Sequence, residues 1–137
     1  MEEHKKLIVV PWDFTLVAEN ALAHAVKISR MTSNDVCILH IIDPGIKPKE
    51  EREVTHQLSR VTDEASKKYN MVIASQIIKG SIFTSIAEFA NSKEASLVVM
   101  GTHGMKGMQK ITGSWALKVI VKSKVPFIVV QDPPADQ

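Results

Sequence analysis

Short apolar runs alternate with amphipathic segments along this chain, and that alternation restricts its fold more than any other feature. Few polar residues interrupt the runs, which is typical of strands buried on both faces of a parallel sheet. Each of the first four runs is followed by apolar residues at helical spacing. Such repeats predict a right-handed α/β fold, an open parallel five-stranded sheet with helices on both faces. The runs span Lys6–Pro11, Val36–Ile42, Met71–Ile78, Leu97–Gly101 and Pro126–Val130.

The runs differ in how continuous they are, and this difference predicts the order of the strands. KLIVV (6–10) and SLVVM (96–100) are the most uniformly apolar, so strands 1 and 4 should be central. Ser75 and Gln76 interrupt the third run, as expected of a less buried edge strand. The predicted order is 3-2-1-4-5 within a single domain, residues 1–137. It places a crevice between strands 1 and 4, where open α/β sheets bind ligands.

The composition is that of an ordinary globular protein and excludes several partner classes. Of 137 residues, 45% are hydrophobic and 23% are charged, with a formal net charge of +2. That charge is too small to indicate nucleic acid or a membrane surface, and no apolar run approaches the roughly 18 residues of a membrane span. The one cysteine, Cys37, lies inside the apolar run VCILHII, which predicts a buried thiol in a reducing compartment. We therefore expect a cytoplasmic protein.

Glycines are concentrated in the connection after strand 4. Four of the six glycines, Gly101, Gly104, Gly107 and Gly113, precede the helical segment SWALKVIVK. Glycine lets a ligand approach the backbone, and the start of a helix attracts anions. The connection is therefore either a phosphate-binding loop or a tight loop that packs a helix closely on a strand. It contains neither a Walker A motif nor the dinucleotide pattern GxGxxG.

Motifs for catalysis are absent from the sequence. There is no Gly-x-Ser-x-Gly elbow, and Asp13 is not paired with a second carboxylate near the predicted crevice. Asp13 and Thr15 are both candidate N-caps of the first helix, and His40 is expected to be a hydrogen-bonded core residue. We predict no catalytic residue, no metal site formed by protein side chains alone, and at most slow ATP hydrolysis.

Several longer motifs are similar to those of a known family. They are KKLIVVPWDFT, the strand end LHIID, the segment KGSIFTSIAEFA, the stretch VVMGTHGMKGMQKITGS and the closing VPFIVVQ. In content and order they resemble the universal stress protein family across essentially the whole chain. The resemblance implies an adenine nucleotide alpha hydrolase-like fold, a cytoplasmic homodimer, a role in stress response and, in one branch of the family, bound ATP.

The resemblance also implies which residues contact ATP or another adenine nucleotide, with or without Mg²⁺. Glycine and serine positions for the phosphates match at both ends of the connection after strand 4. Pro11 and Asp13 match positions near adenine and ribose, and Ile41 matches an apolar position that packs on the base. The implied set is Pro11, Asp13, Ile41, Met100, Gly101, His103, Gly104, Gly113, Ser114 and Trp115.

Two departures from the family's ATP pattern keep a second function open. Eight residues separate Gly104 from Gly113, one fewer than in the pattern, and Trp115 replaces a small β-branched residue. A one-residue deletion shifts backbone N–H groups by up to about 3.5 Å, which is enough to break a hydrogen bond. The alternative function is a dimeric interaction protein of the same fold that binds no nucleotide, with Trp115 filling the pocket.

The last strand predicts a partner surface. It forms an edge of the predicted sheet and is apolar and uncharged until Asp132, although soluble proteins usually guard such edges with charge. We predict antiparallel pairing with the same strand of a second subunit. In the alternative arrangement, the tail DPPADQ covers this edge. The predicted contact residues are Val125, Phe127, Ile128, Val129 and Val130.

Overall fold

The computed structural model describes residues 6–102 and 118–131, without the side chain of Phe83. Every strand that the sequence predicts is present, with its ends within two residues of the predicted ones. Residues 118–120 are helical and lead through a turn towards the last strand. Of the helices within the described ranges, none is long and apolar enough to cross a bilayer. In chain order the elements are β1 (Leu7–Pro11), α1 (Leu16–Thr32), β2 (Asp35–Ile42), α2 (Pro48–Tyr69), β3 (Ile73–Lys79), α3 (Ile82–Ser92), β4 (Leu97–Thr102) and β5 (Phe127–Gln131).

The strands form one parallel sheet in the predicted order, β3-β2-β1-β4-β5. β1 is central, because Ile8 pairs with Val36 of β2 on one side and with Leu97 of β4 on the other. From β1 the chain builds outwards to β3 and then returns to β4 on the other side of β1. The carboxyl ends of β1 and β4 therefore flank the point where the strand order reverses.

Each face of the sheet carries its own apolar layer. Helices α1 and α2 cover one face, called here the α1 face, while α3 and helical residues 118–120 cover the other, the α3 face. Ile8 and Val10 lie in the core of the α1 face, and Val9 between them lies in the core of the α3 face. All three are fully buried. Burial on both sides explains why the central strands are continuous apolar runs.

Helix α1 begins immediately after Thr15, which is its N-cap. The Thr15 hydroxyl accepts a hydrogen bond from the backbone N–H of Ala18 at 3.4 Å. Of the two candidate caps, the structure thus assigns the role to Thr15 and not to Asp13, because only Thr15 immediately precedes the helix. The helix ends at Ser33, which has a φ of 60° and donates its backbone N–H to the carbonyl of Ser29 at 2.7 Å.

Strand β3 begins at Ile73, two residues later than the predicted Met71. Helix α2 ends at Asn70, whose φ of 52° lies in the left-handed region. Met71 still donates its N–H to the carbonyl of Ser66 at 3.1 Å, and the Ser66 hydroxyl accepts from the N–H of Ile73 at 3.2 Å. These bonds complete the helix end, so the extended backbone starts only at Ile73.

The two edges of the sheet expose different side chains. Residues 74–76 of β3 are exposed, as predicted for an edge strand, and Lys79 at its end pairs with Glu51 of α2 at 2.9 Å. In β5, Ile128 and Val129 are each 40% exposed. One edge is therefore polar and the other apolar.

Candidate functional site

The predicted ligand residues that the structure describes lie at neighbouring strand ends. Pro11 ends β1, Ile41 is the penultimate residue of β2, and Met100 and Gly101 lie near the end of β4. Asp13 lies in the turn between β1 and α1. Because these parallel strands are adjacent, the five residues lie along one edge of the sheet, around the point where the strand order reverses. The other predicted ligand residues, His103, Gly104, Gly113, Ser114 and Trp115, lie outside the described residues.

The turn that carries Asp13, residues 12–15, contains no glycine and is strained. Phe14 has a φ of 61°, a left-handed conformation that costs a bulky residue about 1–3 kcal/mol. The Thr15 hydroxyl donates a hydrogen bond to Oδ1 of Asp13 at 2.5 Å, and the backbone N–H of Trp12 donates to the carbonyl of Leu39 at 2.7 Å. The surrounding contacts therefore fix the turn in a conformation that its own sequence does not favour.

His40 is the side chain from β2 that contacts this turn. Its Nδ1 lies 2.6 Å from the carbonyl oxygen of Trp12, and because a carbonyl only accepts, Nδ1 carries the hydrogen. Phe14 packs edge-to-face on the His40 ring with the ring centroids 4.9 Å apart. His40 is half-buried and hydrogen-bonded, consistent with its expected role as a satisfied core histidine. It is also a direct link between β2 and the backbone beside Asp13.

Gly101 has a packing role at this site. A Cβ added there would lie 2.7 Å from the backbone oxygen of Val17 in α1 and 2.9 Å from a Val17 side-chain carbon. Both distances are below any normal contact, and a backbone oxygen cannot move aside cheaply. Close packing of a helix on a strand therefore requires glycine at position 101, whether or not a ligand approaches it.

The end of β4 also carries a buried polar group. Thr102 is 1% exposed, and its hydroxyl has no hydrogen-bond partner among the described residues. By strand alternation it points to the α3 face, like Met100, which is fully buried in that core. A buried hydroxyl without a partner costs about 1–3 kcal/mol. Such a group is typical of a position that a ligand or a neighbouring loop completes.

A cavity of about 560 Å³ opens beside Ile41, within the size range of small-molecule sites. It lies where β2 ends and α3 begins, so Ile41 joins it to the strand ends described above. Ile41 and Ile82 give it an apolar side, while Asp43 after β2 and Ser81 before α3 give it a polar one. Its lining consists of Ile41, Ile42, Asp43, Pro44, Gly80, Ser81 and Ile82.

The one cysteine takes no part in this site. Cys37 is buried, as predicted, and burial raises the pKa of its thiol to about 11, although the charge of Lys93 offsets part of that rise. A thiol with so high a pKa is protonated at neutral pH and is a poor nucleophile. Across residues 6–102 and 118–131, no cluster of three His, Cys, Asp or Glu side chains is arranged to hold a metal ion.

Comparisons with known proteins agree with the fold described above. A model of the universal stress protein family matches residues 5–131. The chain belongs to the universal stress protein family. Universal stress protein MJ0531 of Methanocaldococcus jannaschii is 31% identical to it over 141 residues, which cover 93% of this chain and 83% of the relative.

Solved structures of the family share the fold. The structure of MJ0577, another universal stress protein of M. jannaschii, matches with a TM-score of 0.78 and 26% identity, covering 95% of this chain and 98% of that one. A universal stress protein of Archaeoglobus fulgidus, solved in complex with dAMP, matches with a TM-score of 0.74 and 22% identity. That match covers 92% of this chain and 97% of the A. fulgidus chain.

The predicted site residues of this universal stress protein did not include Phe14, His40 or Thr102, which lie at the same strand ends or in the turn beside them. His40 was expected only as a hydrogen-bonded core residue. The strain at Phe14 and the bond from His40 depend on how β1 and β2 are placed, which no local pattern records. Thr102 had a visible signal, because it is the first polar residue after the buried run LVVMG. A polar residue that ends a central strand of a parallel sheet is a candidate ligand contact.

Proposed function

We propose that this protein binds ATP or a related adenine nucleotide at the carboxyl ends of β1, β2 and β4. It acts as a cytoplasmic, dimeric stress-response module and not as a metabolic enzyme. The observation that carries the proposal is that three family-matched positions, Asp13, Ile41 and Gly101, lie at or beside the carboxyl ends of adjacent strands, around the point where the strand order reverses. The A. fulgidus protein of the same fold, solved with dAMP, supports an adenine nucleotide as the ligand class.

Each position supplies a different contact in this proposal. The carboxylate of Asp13 accepts a hydrogen bond from a ribose hydroxyl, and Ile41 packs against the base. Backbone N–H groups after Gly101, with those of Gly113 and Ser114, donate to the phosphates. Any Mg²⁺ that accompanies the nucleotide would be held mainly by its phosphates and water.

Thermal unfolding with added nucleotide tests the proposal. A ligand at 100 times its Kd adds about 2.7 kcal/mol to the free energy of unfolding. In a domain of this size, that raises the melting temperature by several degrees. ATP, ADP, AMP and cyclic AMP are each added at millimolar concentration, with and without Mg²⁺. If none of them shifts the melting temperature, the proposal is wrong.

A matched pair of variants locates the binding site. Asp13→Asn removes the carboxylate that accepts from ribose, and we expect it to lose most of the shift. Asp63→Asn makes the same change at an exposed position of α2, and we expect it to keep the whole shift. An equal shift in both variants would place the nucleotide elsewhere on the protein.

The alternative function remains a dimeric interaction protein without nucleotide, which the shortened connection between Gly104 and Gly113 favours. Tryptophan fluorescence distinguishes the two functions. The chain has two tryptophans, so a Trp12→Phe variant leaves Trp115 as the only one. Nucleotide should change its emission if the ligand enters the site. An unchanged emission, with no melting shift, supports the alternative.

We propose that the dimer forms by antiparallel pairing of two β5 strands. Ile128 and Val129 are exposed, and within the described residues no other strand pairs with the outer edge of β5. Val125, Phe127 and Val130 are partly buried against the two cores and support the strand from within. Two-fold pairing covers the apolar side chains and satisfies the edge backbone groups.

Native mass spectrometry of variants at the two edges tests the dimer. Val129→Lys places a charge in the proposed interface, and we expect the variant to be monomeric. Ser75→Lys places the same charge on the outer edge of β3, where we expect the dimer to persist. A monomeric parent protein, or a dimer broken equally by both variants, would contradict pairing through β5.

A further inference from the structure

The turn at residues 12–15 is held on two sides by β2. The backbone N–H of Trp12 donates to the carbonyl of Leu39 at 2.7 Å, and its carbonyl accepts from Nδ1 of His40 at 2.6 Å. Both backbone groups of Trp12 are therefore fixed by consecutive residues of one strand. The first of these bonds continues the β1–β2 ladder, but the second comes from the side chain at position 40 and requires a hydrogen-bond donor there.

The bond from His40 has a consequence for the next residue. A peptide unit is planar, so the carbonyl of Trp12 and the backbone N–H of Asp13 lie in one plane. Holding that carbonyl fixes the orientation in which the chain enters Asp13. Phe14, on the other side of Asp13, packs edge-to-face on the same His40 ring. His40 thus contacts the residues before and after Asp13.

We propose that His40 is a positioning residue for nucleotide binding, which sets the direction of the Asp13 carboxylate by holding the Trp12 carbonyl and the Phe14 ring. This inference rests on the proposed function and adds a residue that acts without touching the ligand. The Thr15 hydroxyl fixes Oδ1 of Asp13 from the other side. Asp13 is therefore held through its backbone by β2 and through its side chain by the start of α1.

Two substitutions separate the hydrogen bond from the bulk of the side chain. His40→Leu keeps an apolar contact for Phe14 but removes the donor. His40→Asn places an amide N–H at the same distance from the backbone as Nδ1 and so restores it. We expect about tenfold weaker binding of the best-bound adenine nucleotide by His40→Leu, and a Kd within about threefold of the parent for His40→Asn. His24→Leu, at an exposed position of α1, is the control with unchanged Kd.

A double-mutant cycle identifies the route of the effect. If His40 acts through Asp13, the variant that combines His40→Leu with Asp13→Asn binds no more weakly than Asp13→Asn alone. A purely structural role lowers the melting temperature of His40→Leu but leaves the Kd of the folded protein unchanged. Amide hydrogen exchange without nucleotide gives a second measurement. Residues 13–15 should exchange faster in His40→Leu and at the parent rate in His40→Asn.

The outcomes separate this inference from the proposed function. If the parent protein binds no adenine nucleotide, both are wrong. If the parent binds and His40→Leu has the parent Kd, or if the two losses add in the cycle, the positioning role is wrong and the proposed function stands. Should His40→Leu fail to fold, His40→Gln replaces it, because its amide lies one carbon further out and does not reproduce the Nδ1 position.

Discussion

At the carboxyl ends of the strands, the side chains on the two faces of the sheet have different roles. On the α1 face, His40 contacts the turn before α1, and Gly101 lets that helix lie against β4. On the α3 face, the next residue of each strand has another role: Ile41 lines a cavity, and Thr102 buries a hydroxyl without a partner in the described part of the chain. Consecutive strand residues point to opposite faces. Structural support and proposed ligand contact are thus one residue apart.

This difference predicts where substitutions cost stability. Changes on the α1 face should destabilise the fold, because the backbone of α1 lies against the sheet there. Changes at the ends of the same strands on the α3 face should cost little stability or even increase it.

Gly101→Ala should lower the free energy of unfolding by about 3 kcal/mol, because the new Cβ overlaps the backbone of Val17. Gly45→Ala is the matched control, since its Cβ would meet only a carboxylate oxygen at 3.4 Å. We expect that variant to be neutral or slightly stabilised. Urea unfolding of both variants measures the difference. Equal stabilities would show that α1 can withdraw from β4 at little cost.

Cys37 tests how well the core of the α3 face is closed to water. The pKa of its thiol is about 11 in the folded protein, whereas the ordinary value, taken for the unfolded chain, is 9.0. Between pH 9.0 and about pH 11, the unfolded chain has therefore lost a proton that the folded chain retains. Stability therefore falls as pH rises through this window, by about 3 kcal/mol in total. The comparison with Cys37→Ala at pH 8 and pH 11 isolates this change, because the variant lacks it. A stability difference that does not vary with pH would contradict a closed core.

Thr15→Ala should lower stability by about 1 kcal/mol, because it removes the hydroxyl that caps α1. Thr15→Ser keeps the hydroxyl and should retain most of that stability. Both are measured by urea unfolding. Most of the lost stability should come from a weaker helix α1. Far-UV circular dichroism of the two variants measures the change in helical content. Identical behaviour of the Ala and Ser variants would mean that the cap contributes nothing.

Thr102→Val should raise the free energy of unfolding by about 1 kcal/mol, because valine has the shape of threonine without the hydroxyl that finds no partner among residues 6–102 and 118–131. Thr62→Val is the control from the other face. Its hydroxyl is also buried but donates to the carbonyl of Leu58 at 2.7 Å, so we expect no gain there. Destabilisation by Thr102→Val would mean that the hydroxyl has a partner in the folded protein.

The sheet was predictable because burial on both faces leaves a direct record in the sequence. Continuous apolar residues mark β1 and β4 as central, and Ser75 with Gln76 marks β3 as an edge. The start of β3 was predicted two residues early, since the turn at Asn70 depends on hydrogen bonds that Ser66 accepts, and residue types alone do not specify them.

The candidate site was less predictable, for two physical reasons. At Gly101, ligand approach and helix packing both require glycine, so the residue type does not distinguish them. The link from His40 to the Trp12 carbonyl joins residues 28 positions apart and depends on the register of β1 against β2. Local patterns predict elements, but contacts between elements appear only once the sheet is assembled.

The position of β1 in the sheet also has a consequence for folding. β1 and β2 are joined through helix α1, and the bond between His40 and Trp12 spans 28 residues. The contact between Ser96 and Leu7, where β4 meets β1, spans 89 residues. Loop closure of that length is slow, so we expect β1, β2 and β3 to assemble before β4 arrives. The strand ends proposed to bind nucleotide come from both groups, so a nascent chain acquires the complete site only at this last step.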